Sequence, residues 1–419
     1  MKYKRLKSIV ASLLVCSVLL VSACNKGEEK SENKTEGQFA SQIQSLESEN
    51  KVEPTSTPAP TATPTPTNTP TPTPTPFVST FQAEAAQSYM DSVEFDGTVL
   101  VAEQGQIVWT YSSGYADRLN KKPNKEDTVF EFGSITKQFT AVAIMQLVEQ
   151  GKLNLDDTLD KYIPEYSHAS EMTIHQLLNM TSGVPDYLAC GILGFSTEDF
   201  ENLDLSDIIF LEDTLSDIAT TPLEKNVLVK KISDFPLNFQ PGTKFEYSNT
   251  NYYFLGMIIE QMSGLTYDEY IRQNILNPLG LTDLYPDTDH LTSNGRTKLS
   301  FLTFDLPHQH ESISYAVGVM TGTAEGLFHW EECVMDRALL SEESWAKILD
   351  GGQFGYGYGW YIYSDSIEHS GMTLGYNTSV RVDSEHRRVV IVLSNIQPLE
   401  STAERPMSEE ICAQLWNDF

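Results

Sequence analysis

Val129-Phe130-Glu131-Phe132-Gly133-Ser134-Ile135-Thr136-Lys137 is the stretch on which the fold turns. A short apolar entry runs into glycine, and beyond it Ile135, Phe139, Val142, Ala143, Leu147 and Val148 recur at helical spacing until Gly151 ends the pattern. The spacing predicts a long buried helix with Ser134 at its mouth. Ser134 and Lys137 stand at i and i+3, so a helix carries hydroxyl and amine on one face, within reach of each other. The helix N-terminus adds positive potential, which favours an oxyanion nearby and disfavours a proton on the amine. A neutral lysine can take the serine proton. By itself the pattern is weak, because Ser-x-x-Lys recurs at Ser31/Lys34, Ser48/Lys51 and Ser344/Lys347, the first two in a polar region that forms no pocket. A capping serine followed by a surface lysine is the ordinary meaning of such a pair, so context has to decide.

Upstream, Gly97–Ala102 and Ile107–Tyr111 are β-rich runs around Gln104-Gly105 and predict a hairpin. Downstream, residues from about 155 to 310 carry short helical patterns, such as Ile174–Leu178 and Tyr252–Met262, between Pro-, Gly- and Asn-rich loops. They predict a helical subdomain. The glycine-spaced run Gly355–Tyr361, then 369–382 and 388–394 with a turn near Ser384-Glu385, predict closing antiparallel strands, and Met407–Trp416 predicts a terminal helix. The expected class is α/β in the α+β sense: an antiparallel sheet shared by the N-terminal hairpin and the C-terminal strands, flanked by helices, plus a mainly helical domain.

Two further elements bear on the chemistry. Tyr247-Ser248-Asn249, which follows Gln240-Pro241-Gly242-Thr243, is the only Tyr-x-Asn in the chain. Its tyrosine can relay protons and its amide can orient substrate, although a core tyrosine beside an Asn-stabilised turn reads equally well. His369-Ser370-Gly371 enters the strand that continues Met372-Thr373-Leu374, and glycine there lets a substrate backbone lie along the strand edge. A lone histidine before a strand is more often structural.

Taken in order, Ser134-x-x-Lys137, Tyr247-x-Asn249 and His369-Ser370-Gly371 resemble the triple signature of the serine β-lactamase and penicillin-binding superfamily: class C β-lactamases, DD-peptidases and related esterases. Thr181-Ser182-Gly183-Val184-Pro185 and Thr323-Ala324-Glu325-Gly326-Leu327 match as well, and the resemblance covers most of residues 95 to 415. It implies a β-lactamase/transpeptidase-like fold and an acyl-enzyme mechanism. In that scheme Ser134 is the nucleophile, and Lys137 and Tyr247 share the proton work. Asn249, His369, Ser370 and Gly371 meet substrate, and the backbone amides of Ser134 and Met372 form the oxyanion hole. One departure matters: the superfamily's third box is commonly Lys-Thr-Gly and the class A second box Ser-Asp-Asn. Histidine in place of lysine removes a permanent cation from the place that meets a β-lactam carboxylate. The resemblance therefore implies a D-alanyl-D-alanine carboxypeptidase-like enzyme or an esterase, with at most weak β-lactamase activity. The alternative is a non-catalytic penicillin- or cell-wall-binding sensor on the same scaffold.

At the N-terminus, Lys2, Lys4, Arg5 and Lys7 precede the apolar run Ile9–Leu20, the layout of a secretory signal. Val21-Ser22-Ala23-Cys24 resembles a bacterial lipobox, with Cys24 as lipid attachment point; an ordinary cleaved signal or a short membrane helix is the other reading. The expected organisation is a signal peptide at 1–23, a disordered Thr/Pro-rich linker at 24–80 and the hydrolase domain at 81–419, held outside the cytoplasm on the bacterial cell membrane. Prolines from Pro54 to Pro76 alternate with threonine, and at ~3.1 Å per residue a polyproline II stretch of that length spans roughly 70 Å. Removing residues 1–23 deletes four basic groups and no acidic ones, moving the net charge from −30 to −34. Such acidity argues against nucleic acid as a partner and serves solubility. The expected partners are a small-molecule or peptidoglycan-peptide substrate and, through Cys24, the membrane. Cys190, Cys333 and Cys412 match no metal or redox spacing, His308-Gln309-His310-Glu311 has no third placed ligand, and no metal or cofactor is called for.

Overall fold

The computed structural model describes residues 77–193, 219–299, 302–398 and 401–419. The expected signal peptide, Cys24 and the expected linker up to Pro76 lie outside the described residues, as do residues 194–218. After a first helix, α1 (Ala83–Met90), comes the expected hairpin: β1 (Gly97–Glu103) and β2 (Gln106–Ser113). Gln104 and Gly105 between them both have positive φ, 54° and 74°, as a tight turn matching the right-handed strand twist requires. The chain returns late in sequence as β3 (Tyr361–Ile362), β4 (Ile367–Thr373), β5 (Tyr376–Asp383) and β6 (Arg388–Ser394). The six strands form one antiparallel sheet in the order β3-β4-β5-β6-β1-β2, so the two ends of the domain meet at the β6–β1 pairing.

Both faces of this sheet are covered, which explains why β1 reads as a continuous apolar run and is buried along its whole length. One face sets Val99, Val101, Val390 and Val392 against Phe81, Met90, Ile411 and Leu415 of α1, its approach and the terminal helix α6 (Ser408–Trp416). The other sets Leu100, Val380, Val382, Ile391 and Leu393 against the main core. At the centre of that core runs α2 (Thr136–Glu149), buried from Thr136 through Met145 and again at Leu147. A helix enclosed this way needs no polar stripe, and its apolar residues go almost all round. It packs beside α3 (Asn249–Ser263) and α4 (Glu311–Gly318), while α5 (Ala324–Met335) stacks Trp330 on Phe139 at 4.1 Å.

Two expectations need correcting. Gly355–Tyr361 is not a continuous strand: Gly355 and Gly359 have φ of 74° and 87°, and the segment folds back so that Tyr356 bridges Tyr361. Glycine was read as tolerated in a strand, where it supplies turns. The region to 310 is not uniformly helical either. Arg296–Leu299 pairs with Leu302–Asp305 and, in parallel, with Ile396–Pro398. The buried Arg296, donating to the Tyr115 carbonyl and to Asn395 Oδ1, ties that small sheet to distant parts of the chain.

Candidate active site

The position of Ser134 is made by a tight approach of two backbone segments. The strand Phe130–Glu131 leads through Phe132 to Gly133, whose φ of 56° starts a 3-10 turn, Gly133–Ile135, that runs directly into α2. Ser134 is half-buried on this turn. Strand β4 is pressed against it. A Cβ on Gly133 would sit 2.5 Å from the Met372 amide nitrogen, and one on Gly371 would sit 1.9 Å from the Phe132 carbonyl oxygen. Neither position has room for a methyl group. The Phe132 carbonyl also accepts from Thr378 Oγ1 at 2.8 Å, so the turn is bonded to the sheet as well as packed on it.

Lys137 is fully buried, 0 % exposed, one turn along. Its Nζ lies 2.8 Å from Ser134 Oγ, 2.9 Å from Asn249 Oδ1 and 3.1 Å from the Val317 carbonyl oxygen. Burial holds the amine down at about 7, against the pull of the Asp186 charge in the other direction. Near neutral pH much of it is therefore uncharged. A neutral amine has two N–H bonds and one lone pair; with Asn249 and Val317 taking the two hydrogens, the lone pair is left for the Ser134 hydroxyl proton. Asn249 opens α3, and α4 is broken at Tyr315 (φ 32°, ψ −139°), beyond which the Val317 carbonyl reaches the site.

Tyr247 is buried with its ring centre 5.0 Å from Lys137 Nζ, and it meets Tyr356 edge-on at 6.3 Å and His369 at 6.2 Å. His369 is buried too. Its Nδ1 lies 2.6 Å from the Ser370 carbonyl oxygen and its Nε2 3.1 Å from the Tyr356 hydroxyl. A carbonyl only accepts, so Nδ1 carries the hydrogen and Nε2 accepts from Tyr356. Burial first, and the Lys137 charge second, hold the imidazole down at about 3, so it is neutral throughout the physiological range. Past it, β3 pairs with Ile367 and Glu368 of β4 alone and leaves the edge from His369 to Thr373 uncovered by that strand. Ser370 and Met372 are half-buried on this segment, while Gly371 and Thr373 are buried.

The three motif boxes thus come together around Ser134 Oγ. Sequence reading missed three contributors. Asp186 accepts from the backbone N–H and the Nδ2 of Asn249. It directly follows Thr181–Pro185, the match quoted from sequence, which stopped one residue short. Tyr356 lay in a run read as strand, and the Val317 carbonyl has no side-chain signature at all. The other signals go elsewhere. His308 approaches Glu131 at 3.9 Å, His310 contacts Ser312 at the start of α4, and Glu311 accepts from Thr288. Among the described residues no cluster of His, Cys, Asp and Glu is arranged to hold a metal, and Cys333 and Cys412 are free thiols. No helix among the described residues is long and apolar enough to cross a membrane.

The Beta-lactamase family model matches residues 83–410, and the chain belongs to that family of serine hydrolases. Penicillin-binding protein 4* of Bacillus subtilis (strain 168) is 29 % identical over 330 residues, 72 % of this chain and 68 % of its own length. The crystal structure of a penicillin binding protein from Bacillus halodurans matches with a TM-score of 0.66 at 26 % identity, over 80 % of this chain and 100 % of that one. D-amino acid amidase from Ochrobactrum anthropi SV3, complexed with D-phenylalanine, reaches a TM-score of 0.67 over 80 % and 98 % of the two chains. At 21 % identity the last is a likeness of fold alone.

Proposed function

We propose that the chain is an exported, membrane-anchored serine hydrolase that forms an acyl-enzyme on Ser134 and acts on a D-amino-acid peptide, amide or ester. One observation carries the reading: a fully buried lysine whose amine is 2.8 Å from a serine hydroxyl and has two other acceptors for its hydrogens. Lys137 takes the Ser134 proton as Oγ bonds to the substrate carbonyl carbon, and the carbonyl electron pair moves onto oxygen. The amides of Ser134 and Met372 receive that oxyanion; the Met372 nitrogen beside Gly133 supports this role. On collapse, the bond to the leaving amine or alkoxide breaks. The departing group takes a proton through Tyr247, whose ring lies next to the lysine, and water then releases the acyl group.

The neutral, buried His369 supports the choice of substrate. A box with no cation there gains little from a carboxylate beside the scissile bond, so amides, esters and peptide bonds whose leaving residue carries no free carboxylate fit better than penicillins as turnover substrates. Ser370, Gly371 and the open edge of β4 would align the substrate backbone, with Asn249 held to Lys137. Export and anchoring rest on the basic start, the apolar run and Cys24 in the sequence. Intact-mass analysis of the full-length protein tests the reading, using a penicillin and a small activated ester beside Ser134→Ala. Ester turnover, or an adduct that the variant lacks, is expected. No reaction with either compound would contradict it and leave a binding module on the same scaffold.

A further inference from the structure

We infer that Asp186 is a positioning residue for the Lys137 base, fixing the Asn249 amide in the orientation that aims the lysine lone pair at Ser134. The inference rests on the acyl-enzyme reading and adds a residue that no motif box contains. An asparagine amide is nearly symmetrical in shape, yet its two ends are opposite in hydrogen bonding. Here Oδ1 faces Lys137 Nζ at 2.9 Å and Nδ2 faces Asp186 Oδ2 at 3.0 Å. Turned over, Asn249 would offer Lys137 a donor, and the amine would have to use its lone pair on the amide instead of on serine.

Burial pushes the Asp186 carboxyl above its ordinary range, against the Asn249 and Leu188 hydrogen bonds and the Lys137 charge, which favour ionisation; in its ionised form it excludes that alternative, because a carboxylate has acceptors and nothing else. Its Oδ2 also takes the Asn249 backbone N–H at 2.7 Å, and its Oδ1 takes the Leu188 N–H at 2.8 Å, so the carboxylate itself is fixed. With Oδ1 of Asn249 turned toward it, two buried oxygens would face each other with no hydrogen between them, which a buried site disfavours, more so when one is charged. The surrounding loop is clamped to the same helix turn. Thr250 Oγ1 donates to the Pro185 carbonyl at 2.6 Å and Ser182 Oγ donates to Asn251 Oδ1, so Asn249, Thr250 and Asn251 are each held from the 182–186 loop. The groups facing Lys137 are the rings of Tyr247 and Tyr252, at 5.0 and 5.8 Å, neutral His369, and Asp186 beyond Asn249. Among the described residues Asp186 supplies the negative charge that acts on the amine.

Asp186 therefore does two separable things. Its acceptors orient Asn249, and its charge favours a proton on Lys137. Removing its carboxylate together with the acceptors for Asn249 should lower the plateau rate, since Asn249 loses its fixed orientation. It should also move the acid limb of acylation to lower pH, since the amine gives up its proton more easily. The test follows Ser134 acylation by a small activated ester from pH 5 to 9 in the full chain, for wild type, Asp186→Asn, Asp186→Ser, Asn249→Ala and Asp186→Ser/Asn249→Ala, with thermal melts to correct for folded fraction. The expected result is an acid limb lower by about one pH unit in both Asp186 variants and a plateau reduced roughly tenfold or more in Asp186→Ser, which loses the acceptor for Asn249, whereas the amide oxygen of Asp186→Asn can still accept from it. In the Asn249→Ala background the plateau loss should vanish while the limb shift persists. A residue that is merely structural would lower the folded fraction and leave the limb in place, and folded Asp186 variants with wild-type limb and plateau would overturn the inference. If wild type itself fails to acylate on Ser134, the acyl-enzyme reading falls first and takes this one with it. Should neither Asp186 variant fold, neutron diffraction from the unaltered protein decides: deuterons on Asn249 Nδ2 pointing at Asp186 support the assignment, and the reverse amide overturns it.

Discussion

Among the described residues, two helix starts carry serine and lysine three residues apart, and their surroundings give the same pattern opposite meanings. At Ser134/Lys137 the amine is fully buried among acceptors that leave its lone pair for serine. At Ser344/Lys347, in the helix Glu342–Ile348, the serine hydroxyl donates to Glu149 Oε1 at 2.6 Å. The lysine there is 46 % exposed and pairs with Glu343 one turn back, at 2.8 Å. Spacing permits contact in both helices. Desolvation makes Lys137 surrender its proton, and the polar neighbours decide where its amine points.

Altering the two serines should separate the sites most sharply. Ser134→Ala is expected to lower acylation by roughly 10⁴-fold or more, whereas Ser344→Ala should leave it unchanged; rates with an activated ester, corrected for folded fraction, check both. The lysines come next. Lys137→Gln should lose roughly 10²–10⁴-fold, as expected when a general base is removed, and abolish the acid limb, while Lys347→Gln should change neither rate nor pH profile. Burial acts on carboxyls by the same rule with the sign reversed. Glu331, fully buried beside Gln138, is driven by desolvation up to about 8. Its folded form holds a proton that the unfolded chain releases, so stability falls as pH rises from the ordinary carboxyl value to about 8. Glu331→Gln should therefore gain on wild type through that window, by a few kcal/mol above about pH 8, as read by denaturant melts at pH 5 and pH 9. The smallest effect is at the second site: Ser344→Ala removes one hydrogen bond to a carboxylate and should cost about 1 kcal/mol of stability.

Much of the fold was legible because it is written locally. The hairpin around Gln104-Gly105, the apolar helix after Ser134 and the strands closing at Ser394 are each specified within a few residues of themselves. The common sheet followed from having two β-rich ends and a helical middle. What escaped was set by distant partners. Arg296–Leu299 becomes a strand because Ile396–Pro398, a hundred residues on, lies alongside it. Gly355–Tyr361 becomes a fold-back because its glycines take left-handed turns that composition does not distinguish from strand glycines.

The site divides in the same way. Ser134, Lys137, Tyr247 and Asn249 announce themselves through spacing, as does the box from His369 to Gly371. Their protonation does not, because it depends on burial and on neighbours that folding brings in. Asp186 meets Asn249 from 63 residues away, and the Val317 carbonyl meets Lys137 from 180. His369 looked from sequence like a group facing substrate. The structure encloses its ring between the Ser370 carbonyl and Tyr356 and keeps it neutral, which no pattern of residue types could have conveyed.

The central claim is that a neutral Lys137 activates Ser134, and the pH dependence of Ser134 acylation tests it most directly. The measurement is the rate of mass gain with a small activated ester from pH 5 to 9 in wild type, Lys137→Gln and Ser134→Ala. A neutral lysine base gives a wild-type rate that climbs about tenfold per unit below an inflection near 7 and then levels off, no such inflection in Lys137→Gln, and no adduct in Ser134→Ala. A rate indifferent to pH across that range in wild type, or an adduct that survives in Ser134→Ala, would contradict it.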